Sequence, residues 1–186
     1  MSLPTPESTS PQALESLLQY LETDYYTRLD GLCSRVALHL AELQVGDEEA
    51  PQPGSLYLSL SKKLLGQIEQ YLRLRRFGLV PYIRELLHKE STGHDCRACT
   101  TICTGRHASQ IEGLRESHQK LKEICFRLQS VAVPSYGTQM VQTTVYRTLR
   151  AEMMQIDTAL TELFYLEEFS LIPKMLQAQK AIHAHS

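Results

Sequence analysis

Residues 94–107 carry the side chains of this sequence that are best suited to chemistry. Within fourteen residues lie three of the five cysteines and two of the seven histidines. Thiolate and imidazole groups bind zinc and other borderline metals. Cys96 and Cys99 form a C-x-x-C pair, a spacing that lets two sulfurs reach one tetrahedral ion. Cys103 follows, and His107 lies one helical turn beyond it, so these two side chains can share one helix face.

These four residues would complete a Cys₃His zinc site, and His94 is a second imidazole candidate. Such a site would be structural, because four protein ligands leave no open position for a reaction. Two other interpretations stay open: a thiol redox sensor near a helix N-terminus, and a cysteine-rich loop that binds nothing. An iron–sulfur cluster fits less well, because it usually takes four cysteines. The two remaining cysteines, Cys33 and Cys125, lie on apolar helical stripes and are predicted to be core residues.

The overall composition excludes several classes of protein. The chain of 186 residues has a net charge of −2, with 42% hydrophobic and 22% charged residues, as in an ordinary globular domain. Lys and Arg are not in excess over Asp and Glu, so the composition does not indicate a nucleic-acid partner. The N-terminus lacks the basic and apolar regions of a signal peptide, and no apolar stretch is long enough to span a membrane. We therefore expect a cytoplasmic protein with reduced thiols and no membrane partner, and the sequence identifies no particular protein partner.

Helical periodicity dominates the rest of the chain. Apolar residues recur at three- and four-residue steps in four long segments, separated by Pro/Gly-rich or Cys/His-rich connections. This pattern predicts an all-α protein, an antiparallel up-down-up-down four-helix bundle. Pro81 is expected to kink or break the second helix near Gly78. The predicted division is a mobile N-terminal tail (1–11), a bundle (12–178) with a Cys/His-rich loop (91–107) between helices two and three, and a frayed C-terminal tail (179–186).

Three polar side chains interrupt the apolar stripes of the predicted helices. His118 stands where the third helix would otherwise carry leucine, Glu167 points inward on the fourth, and Arg76 shares a leucine stripe on the second. Each could be explained singly, as a satisfied core histidine or as a charged side chain that reaches the surface. Burying a charge is costly unless it is paired. Their coincidence near the middle of three helices therefore predicts one shared buried polar site.

Several of these segments resemble the hemerythrin-like (HHE cation-binding) domain. Residues 163–173 are similar to the family's helix-ending pattern, in which His, then Glu four residues later, precede a hydrophobic pair and proline. Residues 72–81 repeat that frame, residues 111–121 resemble the third-helix segment with its single His, and residues 21–30 resemble the first-helix segment. The resemblance covers about residues 12–178. It implies a four-helix bundle in which the helices surround a di-iron centre.

The ligands that the resemblance implies are mostly replaced. Leu72 and Arg76 stand at the second-helix His and Glu positions, and Leu163 stands at the fourth-helix His position. Only His118 and Glu167 match. The first helix offers only Asp24, Tyr25 or Tyr26. A di-iron centre is therefore not expected, and we predict instead that Arg76 pairs with Glu167, with His118 hydrogen-bonded alongside, so that a permanent cation replaces the metal.

The function that fits these observations is that of a non-enzymatic hemerythrin-like bundle which has lost its di-iron site. Its Cys/His-rich loop would bind one metal ion, with zinc preferred, or sense redox state. Two alternatives are a metal-dependent or redox enzyme that uses this loop, and a metal-free protein-interaction module. No complete set of catalytic residues is visible, since the sequence has neither a G-x-S-x-G nucleophile turn nor a glycine-rich phosphate loop.

Overall fold

The computed structural model describes residues 11–45, 55–93, 102–132 and 144–184. Each stretch contains one long helix: the first helix spans residues 11–45, the second 55–91, the third Ile102–Ala132 and the fourth 144–184. No strand occurs in these stretches. The predicted all-α class with four long helices is thereby confirmed.

Local sequence explains where the helices begin and end. Pro11 is the first helical residue, a position where its missing N–H costs nothing. The second helix ends at Ser91; the Thr92 N–H bonds to the His88 carbonyl, and Gly93 adopts a positive φ of 65°. Glycine suits that position because it has no Cβ to clash. The fourth helix continues to Ala184 with Ile182 buried, so the predicted frayed tail is helical through residue 184.

Three of the four helices contain a π-helical turn. The turns are Leu21–Tyr26 in the first helix, Arg75–Leu79 in the second and Glu167–Leu171 in the fourth. The predicted kink or break near Gly78 is therefore a π-helical turn, and the helix runs on through Pro81. Proline has no N–H and its ring crowds the preceding turn, so the hydrogen-bond ladder must adjust before it.

The four helices share one apolar core. The first helix packs against the second and fourth, and the second also packs against the third and fourth. Side chains from all four contribute to the core, including Leu29, Ile68, Leu121 and Ile156. No helix in the described ranges is both long and apolar enough to cross a membrane. Near the middle of this core lies a small set of polar groups.

Candidate functional site

Glu167 is the centre of the buried polar site. Its side chain is 0% exposed, and it lies at the start of the π-helical turn of the fourth helix. The hydroxyl of Tyr26 donates to Oε1 at 3.0 Å, and the hydroxyl of Tyr71 donates to Oε2 at 2.8 Å. Two neutral donors from the first and second helices thus reach a single carboxylate.

Arg75 supplies the positive charge of the site. Its Nε donates to Glu167 Oε1 at 3.1 Å and its Nη2 to Oε2 at 3.4 Å. The guanidinium carbon lies 4.2 Å from the centroid of the Tyr71 ring, so the cation also stacks on an aromatic face. The Arg75 side chain is only 4% exposed. The two residues therefore form a buried, two-pronged ion pair, the geometry for which a planar guanidinium is suited.

His118 brings the third helix into the site. Its Nε2 is hydrogen-bonded to Glu167 Oε2, and its ring packs on Phe164 with centroids 4.3 Å apart. An ionised carboxylate can only accept hydrogen bonds, so Nε2 must carry the proton. His118 has no other hydrogen bond within the described stretches. The third helix is thus joined to the carboxylate by a donor, as the first and second helices are.

The electrostatics of the site favour an ionised Glu167. Burial alone would raise the pKa of this carboxyl. The Arg75 charge and the His118 hydrogen bond outweigh burial and lower the pKa to about 2. Burial and the Glu167 charge raise the pKa values of Tyr26 and Tyr71 well above the ordinary value for tyrosine. Burial lowers and the Glu167 charge raises the pKa of Arg75, with a net increase. The network therefore consists of one carboxylate, one guanidinium and protonated phenols.

The π-helical turns coincide with this network. Tyr26 is the last residue of the first turn, whereas Arg75 and Glu167 are the first residues of the other two. The carbonyls of Arg75 and Glu167 accept hydrogen bonds from the N–H groups of Val80 and Ile172, five residues later. π-helical turns are rare and are frequently found at functional sites. Here they mark the level of the bundle at which polar side chains meet.

The arginine in the site differs from the predicted one. The Arg76–Glu167 pair is not formed: Arg76 lies at the surface, where its Nη2 is 2.9 Å from Asp30 Oδ2. Arg75 occupies the inward position instead. The leucine stripe that predicts Arg76 runs along one edge of the buried face of the second helix. The centre of that buried face follows the line through Tyr71 and Arg75. His118 and Glu167 are placed as predicted, inside the core and in contact with each other.

The hydrogen-bond capacity of Glu167 is fully used. Oε1 accepts from Tyr26 and Arg75, and Oε2 accepts from Tyr71, Arg75 and His118. A carboxylate offers about four lone-pair positions, so none is left for a metal or a substrate. The guanidinium would also repel a cation. The donor set at this level, with one imidazole and one carboxylate, does not fit a di-iron centre.

The Cys/His-rich segment is the other predicted site. His94, Cys96 and Cys99 lie outside the described residues. The backbone of Cys103 and His107 belongs to the third helix, but their side chains are not described. Within the described part of the chain, no three His, Cys, Asp or Glu side chains are grouped as metal ligands. The predicted zinc ligands therefore rest on the sequence alone.

The other two cysteines lie in the helical core, as predicted. Cys33 is partly buried and Cys125 is buried, and both are free thiols. Burial, with a smaller contribution from Asp30 or Asp157, raises the pKa of each thiol to about 12. Neither thiol is therefore activated for nucleophilic or redox chemistry.

A second polar cluster joins the first and fourth helices. Glu152 Oε1 accepts a hydrogen bond from Arg35 Nε at 3.0 Å, and Oε2 lies 3.4 Å from His39 Nε2. Arg35 is 55% exposed, so this pair is screened by solvent and contributes little to stability. Glu152 itself is buried, with a side chain only 12% exposed, so this cluster lies at the edge of the core and is partly open to solvent, unlike the closed network around Glu167.

Comparison with known proteins does not extend this description. No family model, no curated protein and no solved structure matches the chain.

Proposed function

We propose that this protein is a non-enzymatic, hemerythrin-like bundle in which an internal ion-pair network takes the place of a metal centre. The observation that supports this most strongly is the environment of Glu167, which receives donors from three other helices and has no free lone pair. Arg75 supplies positive charge where the resemblance implies a metal. The site then holds the helices together and has no reaction to perform.

The antiparallel up-down-up-down arrangement is part of this proposal. It is supported by pairs of side-chain contacts that run in opposite directions along neighbouring helices, because higher residue numbers on one helix meet lower numbers on the next. The contacts are Arg84–Glu22 and Arg76–Asp30, Arg28–Glu162 and Arg35–Glu152, Arg115–Glu168 and Gln129–Asp157.

The state of Glu167, Tyr26 and Tyr71 supports a non-enzymatic role for the core. A general acid or base needs a pKa near the working pH and access to a substrate. The pKa of Glu167 is about 2 and those of Tyr26 and Tyr71 are well above 10, so none of them exchanges protons at neutral pH. Glu167 and Arg75 are also closed off from solvent. We therefore assign this network to stability.

The Cys/His-rich segment carries the metal-binding part of the proposal. Cys96, Cys99, Cys103 and His107, with His94 in reserve, would bind one zinc ion as a closed structural site that shapes the connection between the second and third helices. Reduced thiols suit a cytoplasmic location, which we also propose. The protein would act through its surface as an interaction module.

Elemental analysis tests both parts of the proposal. The protein would be purified anaerobically without chelator or a histidine tag, together with the variants Cys99→Ser and His118→Gln. We expect about one zinc per chain in the wild type and in His118→Gln, and none in Cys99→Ser. Glutamine retains an N–H donor, so the core should stay folded. About two iron ions per chain that are lost in His118→Gln would contradict the proposal for the core.

A further inference from the structure

A groove of about 450 Å³ lies between the third and fourth helices, on the outer side of the buried network. His118 and Phe164 line it, the same two rings that pack together beside Glu167. Tyr165 and Phe169 line it as well, from the outer face of the fourth helix. Volumes of this size are typical of small-molecule sites. The proposed function makes no use of this groove.

Two of the aromatic residues at the groove are largely exposed. Tyr165 is 63% and Phe169 is 66% exposed, and their rings pack together with centroids 4.9 Å apart. Single exposed aromatic residues are common, but two that pack against each other beside a cavity form an apolar surface able to receive a flat ligand.

The charged residues of the groove indicate the sign of the ligand's charge. Arg115 is neutralised by Glu168, with Nη2 and Oε1 2.8 Å apart. Lys122 is different: its ammonium lies 5.7 Å from the Phe164 centroid, and no carboxylate pairs with it in the described ranges. The lining thus carries one uncompensated positive charge next to an aromatic surface. An anion with an aromatic body complements both features.

The length of the groove indicates the size of the ligand. Its lining spans residues 115–122 on the third helix and 161–169 on the fourth. At about 1.5 Å per residue this corresponds to roughly 12 Å, or two helical turns. An amphipathic peptide helix with anchors at i, i+3, i+4 and i+7 would need all of this length. A molecule of one or two aromatic rings fits this length without extending beyond it.

We propose that this groove is a binding site for a small aromatic carboxylate or sulfonate. Lys122 binds the acidic group, while Tyr165 and Phe169 contact the rings and the buried Phe164 lies beneath them. His118 links the floor of the groove to the buried network, so the ligand rests against the same residue that holds Glu167.

Fluorescence titration with 1-anilinonaphthalene-8-sulfonate, an aromatic sulfonate, tests this site. We expect saturable binding at one site per chain, weakened about fivefold by Lys122→Ala and about tenfold by Phe169→Ala. Lys120→Ala is the matched control, because Lys120 is on the same helix but lines a different groove, and it should change affinity less than about twofold. Near-UV circular dichroism of each variant would verify the native fold.

A neutral probe separates the contribution of the ligand's charge to binding from that of its rings. N-phenyl-1-naphthylamine lacks the sulfonate, so it should bind about fivefold more weakly and should not distinguish Lys122→Ala from the wild type. The proposal is overturned if no saturable binding occurs in the folded protein. It is also overturned if Lys120→Ala and Lys122→Ala weaken the sulfonate equally, or if Phe169→Ala leaves the affinity unchanged.

Discussion

Arg75 Nε lies 3.1 Å from Glu167 Oε1, and the two residues occupy equivalent places on their helices. Each is the first residue of a π-helical turn and stands six residues before a proline, Pro81 in one case and Pro173 in the other. In both turns the N–H of the residue before the proline bonds to the carbonyl of the charged residue. A π-helical turn before a proline thus places a positive charge on the second helix and a negative charge on the fourth, where the two side chains meet.

The identity of the buried arginine is tested by substituting neighbouring residues. Arg75→Leu leaves the Glu167 carboxylate buried without its cation, and we expect the free energy of unfolding to fall by about 3–5 kcal/mol. Arg76→Leu removes only a surface pair with Asp30 and should change that free energy by less than about 1 kcal/mol. Urea denaturation followed by circular dichroism measures both. Equal losses for the two variants would contradict the assignment.

The dependence of stability on pH tests the ionisation of Glu167. Its pKa is about 2 in the folded protein against an ordinary value of 4.5, so the unfolded chain binds more protons between these values. The ionised Glu167 therefore contributes fully to the free energy of unfolding above pH about 5. This contribution is lost as the pH falls towards 2, with a slope of up to about 1.4 kcal/mol per pH unit.

Urea denaturation of Glu167→Gln, in parallel with wild type, isolates this contribution. The variant should show a shallower decline between pH 5 and pH 2. Glu168→Gln, which changes the adjacent surface carboxylate, should retain the wild-type slope. A slope for Glu167→Gln that matches the wild type would mean that Glu167 does not titrate as a buried ion pair.

Much of the fold is visible in the sequence because apolar periodicity specifies helices directly. The buried positions of His118 and Glu167 are as predicted. The leucine stripe predicts an inward arginine one residue too far along the chain. Arg76 follows a leucine stripe, whereas counting six residues back from Pro81, as from Pro173 to Glu167, identifies Arg75.

The tyrosines of the site could not be selected from the sequence in the same way. The chain has nine tyrosines, and a tyrosine on an apolar stripe reads as a core residue. Tyr26 and Tyr71 become donors only because the packing of three helices brings their hydroxyls to Glu167. Which hydroxyl meets which carboxylate is a tertiary property that helical periodicity does not contain.

The Tyr71 hydroxyl should contribute measurably to stability. Tyr71→Phe removes one donor from a buried carboxylate and keeps the ring that supports Arg75, so we expect a loss of about 1.5–3 kcal/mol in the free energy of unfolding. Tyr165→Phe is a suitable control because that ring is mostly exposed. If both substitutions have the same small effect, the Tyr71 hydrogen bond is not part of the network.

The core thiols should be slow to react in the native protein. The pKa values of Cys33 and Cys125 are raised to about 12, so little reactive thiolate is present near pH 8. In an assay of the native protein with 5,5′-dithiobis(2-nitrobenzoate), Cys33→Ser and Cys125→Ser should leave the number of fast-reacting thiols unchanged. They should lower only the total number of thiols measured in guanidinium. Loss of fast amplitude in either variant would show that its thiol is accessible.

A double-mutant cycle between Arg75 and Glu167 tests the central claim most directly. Arg75→Met and Glu167→Leu would each lower the free energy of unfolding by about 3–5 kcal/mol, because each leaves one buried charge without its partner. The double variant still leaves the Tyr26, Tyr71 and His118 donors without an acceptor, so it should not regain wild-type stability. Its loss should nevertheless be about 2 kcal/mol or more smaller than the sum of the two single losses. Additive losses in the double variant would contradict the claim that these two residues form one neutralised unit in the core.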